Sequence, residues 1–151
     1  MAEATKEKEG VTLLQAVYKN IRSQTELILD LMPKVKGEAL KSEMTVALSA
    51  YEAFASRAAK RLSEVGEKPM EEGKMKMLAA KWSAAKDTLL DKSEGNIARL
   101  LAEGAQKAAA ELKQELREVE NTKIPEEDLK LLRDLCVFEE KNAKKFESDF
   151  S

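Results

Sequence analysis

Glu139 and Asn142 hold the most chemical promise in this chain, because they stand where leucines are expected. Between 124 and 150 one helical face reads Leu132, Leu135, Glu139, Asn142, Phe146, spaced 3, 4, 3, 4. That is the stripe a core-facing helix presents to its neighbours. A carboxyl and a carboxamide aimed at a helical interior can ligate a cation, fix register through hydrogen bonds, or lie half-exposed at the edge of a core. A buried carboxylate must be paired, hydrogen-bonded or protonated, since desolvating its charge costs several kcal/mol. Gln24, Thr25 and Tyr51 are the partners the sequence offers, if their helices meet Glu139 at that level. With Asn142 they would form a polar layer that sets helix register, as a buried asparagine does in coiled coils.

The chain has no histidine. That removes Ser-His and Cys-His nucleophile pairs, imidazole acid–base chemistry and the commonest transition-metal ligand. Oxygen is what remains for a metal: Glu139, with Glu52 and Glu26 as further candidates and Glu103 a weaker one. Such a set suits a hard cation, magnesium or calcium, which asks for about six oxygens. The sequence nominates fewer, so no cofactor and no catalytic residue is expected. Cys136 is the only cysteine; it can form no intrachain disulfide and reads as a small buried thiol. The Met70, Met75 and Met77 cluster reads as core filling.

The elements that must position these groups are helical. Apolar residues make up 43% and charged residues 36% of the 151, with three prolines and six glycines, a mix that favours helix and one domain. Residues 1–10 are polar and read as a disordered tail before a single domain over 11–150. A first helix is expected from 11 or 12 to 32, with Leu14, Val17, Ile21, Ile28 and Leu31 on its stripe and a gap at Gln24 or Thr25. Pro33 stops it. A second is expected over 38–65, with Leu40, Met44, Ala47, Tyr51, Phe54, Ala58 and Leu62 inward and Gly66 as its left-handed stop. A shorter element over 74–90 carries Met75, Leu78, Trp82, Ala85 and Leu89. Asp91 and Glu94 stand at capping-box spacing and open a further helix to about 120. Gly104, Ala105, Ala108, Ala109 and Ala110 keep that helix narrow, so another helix should approach it there. Pro125 and the acids Glu126, Glu127 and Asp128 open the last helix.

Long amphipathic helices hide their stripes only against one another. The expected architecture is all-α: a four-helix bundle of two helical hairpins, with a short extra helix in the crossover, the ferritin-like arrangement. A five-helix up-down bundle is the competing layout.

Three stretches carry a resemblance to a known family. They are Leu31-Met32-Pro33-Lys34-Val35, then Asp91-Lys92-Ser93-Glu94-Gly95-Asn96-Ile97-Ala98, then Phe138-Glu139-Glu140-Lys141-Asn142. Together they resemble a group of small uncharacterised bacterial helical-bundle proteins, themselves similar to ferritin-like domains of unknown function, over about 13–150. The resemblance implies a fold and a bacterial source, and no established activity. Ferritin-like metal proteins pair Glu-x-x-His on two helices. Here Glu52 is followed by Ala55, and Glu139 by Asn142, where the histidines would stand.

The net charge of −2 is spread without a basic face, so no nucleic acid is expected as a partner. The polar start offers no signal peptide and no run of 18 apolar residues exists, so no membrane is expected and a cytoplasmic location is. The leading functional expectation is a non-enzymatic bundle acting through protein contact or self-association, with a degenerate, histidine-less metal site. The alternative is a carboxylate-only metal or redox protein. A third reading is a carrier of a small apolar ligand.

Overall fold

The computed structural model describes residues 2–69, 93–119 and 123–150, with side chains from residue 10 onward. Among these residues the chain is all-helical: α1 (Ala2–Leu31), a 3-10 turn (Met32–Lys34), α2 (Glu38–Glu64), α3 (Glu94–Glu118) and α4 (Glu126–Phe150). The expected element over 74–90, with Trp82 and the methionines at 70, 75 and 77, lies outside the described residues. None of the described helices is long and apolar enough to cross a membrane.

α1 begins at Ala2 rather than near residue 11, so the stretch read as a tail continues the helix. Ala, Glu and Lys dominate that stretch, and adding such residues to an existing helix costs little once it is nucleated. Pro33 ends α1 as expected, in the 3-10 turn. Val35 follows with its side chain buried and its N–H on the carbonyl of Met32 at 3.1 Å. α2 closes on Gly66, whose φ of +76° is the left-handed conformation a side chain resists. The Glu67 N–H returns to the Leu62 carbonyl at 2.8 Å and the Gly66 N–H to that of Ser63 at 3.0 Å, the bond pattern of a Schellman stop. α3 is capped by Ser93, whose Oγ accepts the N–H of Asn96 at 3.3 Å. The capping acceptor is therefore Ser93; Asp91 lies outside the described residues.

Cross-helix pairs fix the packing. Asn20 Nδ2 donates to the carbonyl of Ala108 at 2.9 Å, while an ideal Cβ on Gly104 would come within 2.6 Å of Leu27 Cδ2. Rising numbers on α1 thus meet falling numbers on α3, and the two are antiparallel. α2 and α4 are antiparallel as well, through Glu43–Lys145, Tyr51–Glu139, Arg57–Asp134 and Arg61–Asp128. So are α3 and α4, through Lys113–Glu140 and Gln106–Glu147. α2 ends where α4 begins. α3 begins at the opposite end, where the Glu94 carboxylate accepts the N–H of Gly37, the first-turn cap of α2.

The stripes read from the sequence fill the core between these helices. Val17, Ile21, Leu40, Met44, Leu62, Ile97, Leu112, Leu132, Leu135 and Phe146 are buried, each side chain contributing about 1.5–3 kcal/mol by leaving water. The small-residue stretch of α3 faces both neighbours: Gly104 and Ala108 lie against α1, and the Ala109 carbonyl against Cys136 of α4. Ala110 is exposed. Gly104 is where α1 and α3 come closest, so Gly104→Val is expected to cost about 2–3 kcal/mol through overpacking against Leu27 and Gln24. Urea denaturation would read that as a lower midpoint.

Candidate functional site

α4 carries its polar residues into the interior as its stripe requires. Glu139 is 0% exposed, at the middle of the α2–α4 seam. α2 presents Tyr51 at the same level, also fully buried, and its hydroxyl donates to Glu139 Oε2 at 3.0 Å. Asn142, half-buried one turn further along α4, donates its amide N–H to the same hydroxyl oxygen. The other carboxyl oxygen, Glu139 Oε1, has no hydrogen-bond partner among the described residues. Aromatic packing holds the donor in place. The Tyr51 ring meets Phe138 edge-on at 5.1 Å, and Phe138 meets Phe54 at 5.6 Å. Such pairs add about 0.5–1.5 kcal/mol beyond the area they bury.

The electrostatics follow from burial. Loss of water pushes the Glu139 carboxyl up to about 9; the Tyr51 hydrogen bond pulls it down, and the carboxylate of Glu111 on α3 pushes it further up. Burial raises the Tyr51 hydroxyl well above its ordinary range, and the adjoining Glu139 adds to this. Burial and the hydrogen bond thus both bear on which proton the carboxyl and the phenol keep.

The remaining sequence candidates fall elsewhere. Glu52 is exposed. Glu26 pairs with Arg22 on its own helix at 3.4 Å, and Glu103 with Arg99 at 2.6 Å. Glu52, Glu26 and Glu139 are therefore not brought together, and among the described residues no group of three Cys, Asp or Glu is arranged to hold a metal ion. Gln24 and Thr25 are buried as the gap in the α1 stripe suggests, but neither joins Glu139. Thr25 Oγ1 donates to its own helix at the Ile21 carbonyl, 3.0 Å away. Gln24 lies against Gly104 of α3. The reason is register. Gln24 and Thr25 fall on α1 where their side chains meet Gly104 of α3 and the Ile21 carbonyl rather than Tyr51 or Glu139. Of the expected layer, Tyr51 meets Glu139 and Asn142 meets Tyr51, while Gln24 and Thr25 bond elsewhere.

Two buried polar sites escaped the sequence reading. Asn20 replaces an apolar residue on the α3-facing side of α1; its amide bonds Ala108, while its Oδ1 has no partner. Asp128, read only as a helix-start acid, is 2% exposed and takes both oxygens to Arg61, at 2.6 and 3.2 Å. Arg61 also reaches Glu64 at 2.5 Å and Glu127 at 3.1 Å. The Asp128 hydrogen bond is the main cause that raises the Arg61 guanidinium above its usual value. An arginine in the last turn of α2 and acids in the first turn of α4 also complement the two helix dipoles. A basic last turn facing an acidic first turn was the available signal. Cys136 is buried, its thiol pushed up to about 11 by burial first and then by the nearby Glu140. It is a protonated, unreactive thiol at neutral pH.

Compared with protein-family models, with curated proteins and with solved structures, the chain matches none of them.

Proposed function

We propose that this chain is a non-enzymatic four-helix bundle of ferritin-like layout that works by contact with another protein or with a second copy of itself. On this reading, the polar layer at Glu139 locks helix register in the place where ferritin-like enzymes hold metal. The observation that carries it is the choice of partner: the Glu139 carboxyl takes its hydrogen bond from the Tyr51 phenol, which Asn142 also reaches. Support for the layout comes from the helix ends. α2 finishes beside the start of α4 and α3 starts beside Gly37, so the connection between α2 and α3 has the bundle's length to span.

The competing carboxylate-only metal protein draws on the unpartnered Glu139 Oε1. Metal analysis of protein purified without chelator separates the two, together with thermal melting in added iron, manganese or calcium. Substoichiometric metal and an unchanged melting temperature are expected; a stoichiometric ion that raises it would overturn the proposal. Light scattering across micromolar concentrations tests the contact role, and a monomer throughout removes self-association.

A further inference from the structure

We propose that Glu139 is carried inside the folded bundle as a neutral carboxylic acid, so that closing the α2–α4 seam takes up a proton and the bundle tightens on acidification. This rests on the layer being hydrogen-bonded rather than metal-holding.

The seam itself makes the argument. Three other carboxylates along it have a cation: Glu43 has Lys145 at 2.7 Å, Asp134 has Arg57 at 3.1 Å, and Asp128 has Arg61 at 2.6 Å. Glu139, the one with no exposure at all, has none. The groups around it offer no substitute. α2 brings the uncharged Tyr51 hydroxyl. α3 brings Glu111, which repels a carboxylate, and Lys113, which is taken by Glu140 at 2.6 Å. α4 itself adds the Cys136 thiol and Glu140, which meet each other at 3.7 Å. From α1, the field of Lys19 falls on Glu115 of α3. An anion at Glu139 would thus be desolvated beside a second anion. The acid form keeps the Tyr51 hydrogen bond on Oε2 and places its proton on Oε1.

The sign follows from linkage. The carboxyl titrates near 4.5 when solvated and near 9 when folded. Between those values the folded chain holds a proton that the unfolded chain has released. The contribution of Glu139 to stability is therefore complete below 4.5, shrinks as pH rises through the window, and is gone above 9. Inside the window the unfolding constant grows about tenfold per pH unit from this group alone. The range from 5 to 8 lies wholly within it.

Glu139→Gln keeps the shape and the Tyr51 acceptor but cannot titrate. Urea unfolding of both proteins at pH 5, 6, 7 and 8, in chelator, isolates the effect. The ratio of wild-type to Glu139→Gln unfolding constants is expected to rise about tenfold per pH unit; a ratio flat with pH would overturn the proposal. If the glutamine variant does not fold, Glu139→Leu serves, with the same slope expected and the same flat outcome decisive. An infrared carbonyl band of a protonated carboxylic acid at pH 7, present in the wild type and missing from the variant, is the second expected result; its absence from the wild type would sink the idea. Metal chemistry fails or succeeds separately: if chelator lowers wild-type stability, the layer holds an ion and the reading beneath this inference is wrong.

Discussion

Arg61→Ala is expected to be among the most damaging substitutions in this chain, costing about 4 kcal/mol and lowering the melting temperature by about 10 °C. Asp128 is 2% exposed and both its oxygens rest on the Arg61 guanidinium. Without that partner a carboxylate is left desolvated beside apolar helix, where breaking a buried pair costs more than the pair contributes. The reverse substitution, Asp128→Ala, is expected to cost less, about 2 kcal/mol, because Arg61 keeps Glu64 and Glu127 as partners. The asymmetry is the diagnostic. A double-mutant cycle with Arg61→Met and Asp128→Leu should recover much of the loss, since apolar residues of similar volume replace buried ion pairs well. Equal losses from the two single alanine variants would mean the pair is more solvated than its geometry implies.

Tyr51→Ala is expected to cost about 4 kcal/mol, and Tyr51→Phe about 1–2 kcal/mol. The alanine removes a fully buried ring that packs edge-on against Phe138, and with it the hydroxyl that serves both Glu139 and Asn142. It opens a cavity in the α2–α4 seam and leaves Glu139 without its one hydrogen bond. The phenylalanine keeps the ring and loses only the hydroxyl, so the difference between the two variants measures packing. The phenylalanine loss should be larger at high pH than at low pH, because an ionised Glu139 needs the donor more than a neutral one does. Chemical denaturation on both sides of pH 9, about where the folded Glu139 carboxyl ionises, reads both quantities. A Tyr51→Phe loss that stays constant across pH would separate the hydroxyl from the carboxyl's protonation.

Much of the fold was legible in the residues because amphipathic spacing is a local property. Leu40, Met44, Ala47, Tyr51, Ala58 and Leu62 lie on one face of any α-helix, so their common burial needed no knowledge of neighbours. Pro33 and Gly66 stop helices through their own backbone chemistry and did so here. At residues 2–10 polar composition is a poor guide to the backbone, because a stretch rich in alanine, glutamate and lysine readily extends a helix. Asp128 was read as a dipole partner and proved also to be a buried ion-pair partner, since nothing in the spacing of α4 says that an arginine will close over its first turn.

The sequence by itself determined the inward faces of the four described helices, the stops at Pro33 and Gly66, the absence of imidazole chemistry, and that Glu139 stands on an inward stripe. Only the tertiary structure decided what meets Glu139. Sliding one helix along another by a turn preserves every apolar stripe but exchanges every polar neighbour, so Gln24 and Tyr51 were equally available to a reader of stripes. The axial offset is set where helices touch at single points: Val35 in the first turn, Glu94 on Gly37, and Leu27 against Gly104. With those contacts made, Tyr51 stands beside the carboxyl and Gln24 lies against Gly104 of α3. The result is a lone acid without a cation in the middle of the bundle.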